Sequence, residues 1–493
     1  MSTLAWRSGV HDARRELACA QLLQRVQEAG VEQVRIGWCD LHGTLRGKTL
    51  MPAALPAALS DGVGLVSTLL LKDTSDRTVF KVFEPGVEAE LPGVAGLFGA
   101  GNLLLLPDPD SMVMLPWAPG TAWLRAQPWW ADGTPVTVDP RRVLQLALAR
   151  LAEAGYGLRC GLEVEFHIYR ITNDRQHPDA AAWPGDPPEV DLLHPGYNLL
   201  SEAWADRAHD ALAIVRRTAQ GLGLPLRSLE IELGPSQFEA VFDVTDALSA
   251  ADQMVLFRNG VRQALQRAGY HATFMCRPPF ANIMSSGWHL HQSLLDLGSG
   301  GNAFMRGEVP AAVGADDARG TLSDVGASWL AGLLAHAQAA AVFGCSTVNA
   351  FGRFRPNALA PMAALWGRDN RGAMLRVLGG PGDGATRIEN RIGEPMANPY
   401  LYLASQVHAG LDGVQRALQP PPATVAPYAD GGPALPTTLE AALQALRASP
   451  VMRAGFGETL VALYGRIKDS EAARHAQAED PALWQRREYF SRY

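Results

Sequence analysis

Glutamates recur in this chain at spacings that suit cation binding. Gly161-Leu-Glu163-Val-Glu165-Phe and Leu229-Glu-Ile-Glu232 each place two carboxylates two residues apart, and a Gly234-Pro235 turn then leads to Glu239. Side chains on a strand alternate faces, so Glu163 and Glu165 point one way while Val164 and Phe166 point into a core. Like charges held together in this way call for a cation. A lone Glu-x-Glu is more often a solvated strand face, so the weight rests on the repetition. Gly287-Trp-His289-Leu-His291-Gln-Ser293 adds two histidines on one face, and Arg387-Ile-Glu389-Asn-Arg391 a fifth glutamate between two arginines. Hard oxygen donors with one nitrogen are the set that holds two Mg²⁺ or Mn²⁺ ions against the phosphates of ATP.

Arginines form the second constellation. Arg353, Arg371, Arg376, Arg387 and Arg391 lie in an otherwise apolar or small-residue stretch, and their planar forks suit carboxylate and phosphate oxygens. Other nucleotide and hydrolase signatures fail. Gly43-Thr-Leu-Arg-Gly47-Lys48-Thr49 misses a phosphate loop because His42 stands where a glycine is required. There is no His-Glu-x-x-His and no Gly-x-Ser-x-Gly.

In order and spacing these motifs resemble the glutamine synthetase superfamily. Asp40-Leu-His-Gly-Thr-Leu-Arg-Gly-Lys48, Asn349-Ala-Phe-Gly-Arg353, Asn370-Arg371-Gly-Ala-Met-Leu-Arg376, Asn398-Pro-Tyr-Leu and a Trp484 to Tyr489-Phe490 ending extend the likeness over nearly the whole chain. The resemblance implies an α+β fold: a small β-grasp-like N-terminal domain over 1–135, and a catalytic domain over 136–493 whose large antiparallel sheet is flanked by helices. It implies that Glu165, Glu232 and Glu239 hold one metal and that Glu163, His289 and Glu389 hold the second. His291 and Ser293 then lie near ATP, with Arg376 and Arg387 binding it. Arg353 and Arg391 clamp glutamate or its phosphate, Arg371 steadies the transferring phosphoryl group, and Ser285 and Gly287 line the substrate. It further implies a homo-oligomer, a dodecamer of two hexameric rings, in which one N-terminal domain closes its neighbour's site.

Two departures from the family pattern bear on the substrates. Ammonia-using members carry a glutamate six residues after the Arg353 equivalent, which helps hold ammonium and take its proton, whereas this chain has Arg353-Phe-Arg-Pro-Asn-Ala-Leu359. The usual Asn-Gly-Ser-Gly-Met-His, which holds glutamate, is replaced by Met284-Ser-Ser-Gly-Trp-His289. The expected activity is therefore that of a γ-glutamyl amine ligase, resembling γ-glutamylanilide and γ-glutamylpolyamine synthetases, with an aromatic or apolar amine such as aniline. Phe351, Phe354, Trp366 and Trp288 are candidate walls for it. Polyamine ligation, glutamine synthesis from ammonia and a catalytically silent scaffold stand as alternatives.

The elements that must position these residues can be read in part. Helical spacing of Leu17, Leu22, Leu23 and Val26 up to Gly30 predicts a first helix over 11–30. Gln33–Asp40 and Thr44–Leu50 read as strands around Leu-His-Gly, and Asp139-Pro140 opens a helix. Further helices are expected over 251–268 and 327–342. Leu69-Leu-Leu-Lys-Asp73 reads as a strand running into an acidic turn, suited to leaving its own domain. At 493 residues, 47% hydrophobic, 19% charged and with a net charge of −7, the composition is that of a globular enzyme with no basic run for nucleic acid. Five dispersed cysteines point to reduced thiols. No run reaches the roughly 18 apolar residues of a membrane span, and the cytoplasm is the expected location.

Overall fold

The computed structural model describes residues 2–493 apart from 87–90, 92–93, 95–96, 311–312, 315 and 356–357. Helix Ala13–Glu28 starts at Asp12, whose carboxylate accepts the Arg15 amide at 2.7 Å. Strands β1 (Gln33–Cys39) and β2 (Leu45–Leu50) then pair antiparallel. Asp40 shapes the turn between them by accepting the His42 and Thr44 amides and pairing with Arg46 at 2.8 Å. Gly43 has φ +77°, and a Cβ there would stand 2.1 Å from Arg258 Nη2. Only glycine admits this approach, through which buried Arg258 binds Gly43 O, Pro395 O and Ala397 O. One side chain thus fastens the first hairpin to the backbone at Pro395 and Ala397.

The small sheet is completed by β3 (Val63–Val66), β4 (Asn102–Pro107), β5 (Val113–Met114) and β6 (Thr121–Trp129), in the order β2-β1-β6-β4-β3 with β5 on β6. β1 and β6 run parallel. Leu69–Leu71 is not the expected strand. It lies in a 3₁₀ turn, Ser67–Leu71, in which Leu70 and Leu71 are both buried. A strand would send these neighbours to opposite faces, whereas a helical turn lets both face one core. The acidic turn that follows reaches out of the first 135 residues. Asp73 pairs with Arg474 at 3.1 Å, and Thr74 and Ser75 donate to Glu488, so it is docked on the C-terminal segment.

Buried Asp139 accepts both the Trp38 indole N–H at 2.8 Å and the Arg142 amide at 3.0 Å. It ties the small sheet to helix Pro140–Glu153 while capping that helix. The large sheet follows: β7 (Tyr156–Asn173), β8 (Glu189–Leu192), β9 (Leu226–Ile231), β10 (Gln237–Asp246), β11 (Tyr270–Thr273), β12 (Trp288–Asp296), β13 (Trp366–Arg368), β14 (Leu375–Leu378) and β15 (Arg387–Gly393). Its order is β13-β14-β15-β12-β7-β10-β9, with β8 and β11 also on β7. Pairing is antiparallel except between β13 and β14. The α+β architecture is thus a small mixed sheet beside a large, mostly antiparallel one.

Long β7 is the spine of the site. Leu162, Val164 and Phe166 on one face are buried, and Phe166 stacks on Phe274 at 5.1 Å and meets Phe257 edge-on at 5.8 Å. Phe257 belongs to helix Ala247–Arg267, which begins four residues before the expected start because Asp246 caps it. The helix expected over 327–342 is two, Asp324–Ala335 and Ala337–Gly344, bent by 78°. The break falls at His336, which turns to Asp412 at 2.7 Å. Among the described residues no single helix is long and apolar enough to cross a membrane.

Candidate active site

Strand register assembles the polar face opposite that core. Glu165 stands across from Glu239, and Glu163 across from His289 on its other side. His291 pairs in turn with Glu389, and Glu389 with Arg376. Glu232 arrives from the turn just past β9, and its amide bonds to Gln237 O at 3.0 Å. Acids and histidines far apart in sequence therefore lie in one row because neighbouring strands present the same face.

The donor atoms of Glu165, Glu232 and Glu239 lie within 4.8 Å of one another. So do those of Glu163, Glu239 and His289, and those of Glu163, His291 and Glu389. The geometry thus splits the expected second set. His289 Nδ1 is 3.5 Å from Glu163 and 3.9 Å from Glu389, while His291 Nε2 is 3.0 Å from Glu163. Burial, reinforced by the neighbouring carboxylates, pushes the Glu239 and Glu165 carboxyls well up. Burial raises Glu232 as well. Burial acts against ionisation of Glu163 too, but hydrogen bonds from His289 and His291 outweigh it and hold that group well below the carboxylate range. His289 is lowered to about 4 by burial and by Arg391, so it is neutral and able to ligate. Crowded carboxylates kept together only by protons, next to a neutral imidazole, fit a hard divalent cation.

Glu165 is held rigidly. Its Oε2 accepts the Gly287 amide at 2.9 Å and Gln237 Nε2 at 3.1 Å, and its own amide bonds to Gly287 O at 3.0 Å. A Cβ on Gly287 would stand 2.6 Å from Arg353 Nη2, so a side chain there would displace the arginine. Gln237 also donates to Ser285 O at 3.2 Å and links the substrate motif to the acidic triad. Its role had no sequence signal beyond its place in the Glu232–Glu239 turn.

The arginines divide by what they touch. Arg353 is buried and braces β15, giving Nη1 to Ile392 O and Gly393 O and Nη2 to Arg391 O at 2.8–3.0 Å, with Nη2 also facing Gly287. Arg376 grips Asp369 and Glu389, the latter at 3.0 Å. Arg391 pairs with Glu389 yet keeps a buried Nε without a partner among the described residues. Arg371 is exposed on the turn before β14. Arg387 donates from Nε to His291 Nδ1 at 3.0 Å, and His291 Nε2 lies 3.0 Å from Glu163. Arg387, Ser293, His291 and Glu163 line a cleft of about 420 Å³ with Gly161 and Thr386, large enough for the phosphates and sugar of a nucleotide.

Leu359 is exposed, with φ +53°. Pro356 and Asn357 of its motif lie outside the described residues. The expected aromatic walls fare unevenly. Trp288 and Trp366 are fully buried: Trp288 packs edge-on against Tyr402 at 5.1 Å, and Trp366 donates to Pro421 O at 2.6 Å. Both are core. Phe351 and Phe354 meet edge-on at 6.1 Å, Phe351 buried and Phe354 half-buried. An unforeseen aromatic stands at the site instead. Tyr428, from the proline-rich 419–436 segment, bonds through its hydroxyl to Ala360 O at 3.2 Å. Burial raises its phenol, against the charges of Arg391 and Arg353 nearby. Its ring also borders Gly372, next to Arg371.

The chain is similar to known proteins over most of its length. A profile of the glutamine synthetase catalytic domain matches residues 137–489. The γ-glutamylanilide synthase of Acinetobacter sp is 38% identical over 490 residues, covering 96% of each chain. The γ-glutamylethanolamide synthetase GlnA4 of Streptomyces coelicolor is 30% identical, with 98% of each covered. Among solved structures, the GmaS/ADP complex superposes with a TM-score of 0.73 at 28% identity, over 94% of this chain and 98% of that one. The chain belongs to the glutamine synthetase family of ATP- and divalent-metal-dependent γ-glutamyl ligases.

Proposed function

We propose that the enzyme joins the γ-carboxyl of L-glutamate to an aromatic or apolar amine, aniline being the leading candidate, through a γ-glutamyl phosphate. The observation that carries the amine assignment is the Leu359 turn: an exposed apolar side chain where ammonia-using relatives place a carboxylate, with the Tyr428 phenol fixed beside it. Ammonium and aliphatic amines have pKa values of roughly 9–10.5 and must lose a proton before attack. Leu359 can neither attract that cation nor take its proton, and apolar surroundings disfavour it. An arylamine arrives uncharged.

Glu165, Glu232 and Glu239 would hold one Mg²⁺ or Mn²⁺, and Glu163, His289 and Glu389, with His291 adjoining, the other. When bound, these ions neutralise the charge of the ATP phosphates. Arg387 and Ser293 receive ATP in the cleft beside His291, and Arg376 acts through Glu389, which it orients. The free Nε of Arg391 and the exposed fork of Arg371 remain to meet the γ-phosphoryl group and the carboxylate. A glutamate γ-oxygen then bonds to the γ-phosphorus as ADP leaves. The amine nitrogen next bonds to the acyl carbon, phosphate departs and the nitrogen gives up a proton. Positioning and charge neutralisation do most of the work in such a transfer. Within the same reading, the small and large sheets form two domains divided near residue 135, the enzyme assembles as a double hexamer, and it works in the cytoplasm.

The test is phosphate release with ATP, Mg²⁺ and glutamate at pH 7.5, screened against aniline, isopropylamine, ethanolamine, putrescine and ammonia. Aniline should outpace ammonia and putrescine. Strong activity with ammonia would sink the amine assignment.

A further inference from the structure

On β7 the face that carries Glu163 and Glu165 continues to His167, because side chains two apart along a strand share a face. His167 is fully buried, stands across from Gln237 on β10 and from Thr273 on β11, and belongs to none of the three ligand groups found among the described residues. We infer that His167 is a positioning residue that acts from behind the acidic triad: by holding the Ser286 hydroxyl it fixes the Gln237 amide, and Gln237 in turn aims Glu165 at its cation. The inference rests on the metal reading of Glu165, Glu232 and Glu239 and adds to it the side chains that set the geometry.

Each link is a hydrogen bond. His167 Nδ1 lies 3.3 Å from Ser286 Oγ, and Gln237 Nε2 donates to Ser286 Oγ and to Glu165 Oε2, both at 3.1 Å. The Gln237 amide cannot flip without loss, since its Oε1 accepts the Gly234 amide at 2.9 Å. The Ser286 backbone is pinned as well: its amide donates to Cys276 O at 2.7 Å, and its carbonyl accepts from Cys276 Sγ at 3.3 Å. The hydroxyl alone is left to turn, and His167 stops it. Packing does not account for an imidazole here. Its Nε2 is buried without a partner among the described residues, and an unpaired buried nitrogen lowers stability. The Tyr169 ring lies parallel to it at 5.9 Å, so a phenyl ring would suit the same space without that penalty. What the imidazole adds is the bond to Ser286.

The experiment measures Mn²⁺ binding to the full-length enzyme without ATP or substrates, by paramagnetic resonance of the free ion, together with the metal-free Tm. His167→Phe keeps a ring and removes the nitrogen that meets Ser286. It should weaken the triad site by about 10-fold, the lower end of the range for a lost outer partner of a metal ligand, while its metal-free Tm stays level or rises. In His167→Asn the side-chain oxygen takes the place of Nδ1 but the rest of the ring's space is emptied, so Tm should fall and Mn²⁺ affinity should stay near that of the unaltered enzyme. Ser286→Ala should match His167→Phe in affinity, and the double variant should bind no more weakly than either, because both changes break one path. A purely structural role predicts the reverse order, with Phe harmless and Asn harmful to both readouts. That order, or unchanged Mn²⁺ binding in His167→Phe, would overturn the inference; if His167→Phe does not fold, unchanged binding in Ser286→Ala does so instead. Glu232→Gln is the control. If it binds Mn²⁺ as the unaltered enzyme does, the triad reading fails and the inference with it, whereas a weakened Glu232→Gln beside an unaffected His167→Phe sinks the inference alone.

Discussion

We predict that Glu232→Gln severs metal binding from folding. The donor oxygens of Glu165, Glu232 and Glu239 lie within 4.8 Å of one another. At that separation and an effective dielectric near 20, each ionised pair repels by about 3 kcal/mol. Removing one carboxylate deletes two of the three contacts. Burial and mutual repulsion push these carboxyls up, so a proton already relieves part of the strain at neutral pH. The net gain in metal-free stability should then be about 1–3 kcal/mol or less. The metal-dependent gain moves the other way. A free ion at about 100 times its Kd stabilises the native state by about 2.7 kcal/mol, and a tenfold weaker site loses about half of that. Scanning fluorimetry over a Mn²⁺ titration should show a level or higher metal-free Tm, a smaller rise with Mn²⁺, and phosphate release that is abolished. A variant with the unaltered Mn²⁺ response and turnover would refute the assignment of this carboxylate.

Leu359→Glu should shift preference towards ammonia, read as the ratio of kcat/KM for ammonia to that for aniline. An unchanged ratio would remove the turn from the amine site. Tyr428→Phe, by freeing Ala360 O, should raise the KM for aniline several-fold with the KM for ATP unchanged. Buried Glu394 accepts Ser346 N, Ser346 Oγ and Thr347 Oγ1, and burial raises its pKa to about 7 despite those bonds. Because the folded value exceeds the unfolded one of 4.5, its contribution is complete below pH 4.5 and is lost as pH rises through 7, a fall of about 3 kcal/mol. Glu394→Gln should flatten the decline in Tm between pH 5 and 8, and parallel profiles would contradict this. Light scattering should find a ring-sized oligomer, and an active monomer would rule out a shared site.

Local rules made the metal row readable before any coordinates. Alternation on a strand fixes where Glu163 and Glu165 point, and Asp139-Pro140 carries its own cap signal. The Gly43 turn was equally plain, though not the reason for it, since Arg258 lies far along the chain. What escaped the sequence is set by long-range contact. Nothing near Arg353 signals that it would bond the carbonyls of β15, and nothing near Tyr428 signals a place at the substrate site. The bend at His336 depends on Asp412, on a helix that follows the large sheet, while the Ala-rich sequence favours helix on both sides of it. Leu69–Leu71 misled because an apolar run of that length fits a strand or a helical turn equally well, and only the shared burial of Leu70 and Leu71 decides between them.

The central claim is that the glutamate γ-carboxyl is activated as a phosphate before the amine arrives. L-Glutamate carrying ¹⁸O in that carboxyl, incubated with the enzyme, ATP, Mg²⁺ and aniline, tests it directly by mass spectrometry of the phosphate released. One ¹⁸O should pass to each phosphate as the amide forms. Amide formation with unlabelled phosphate would contradict the account.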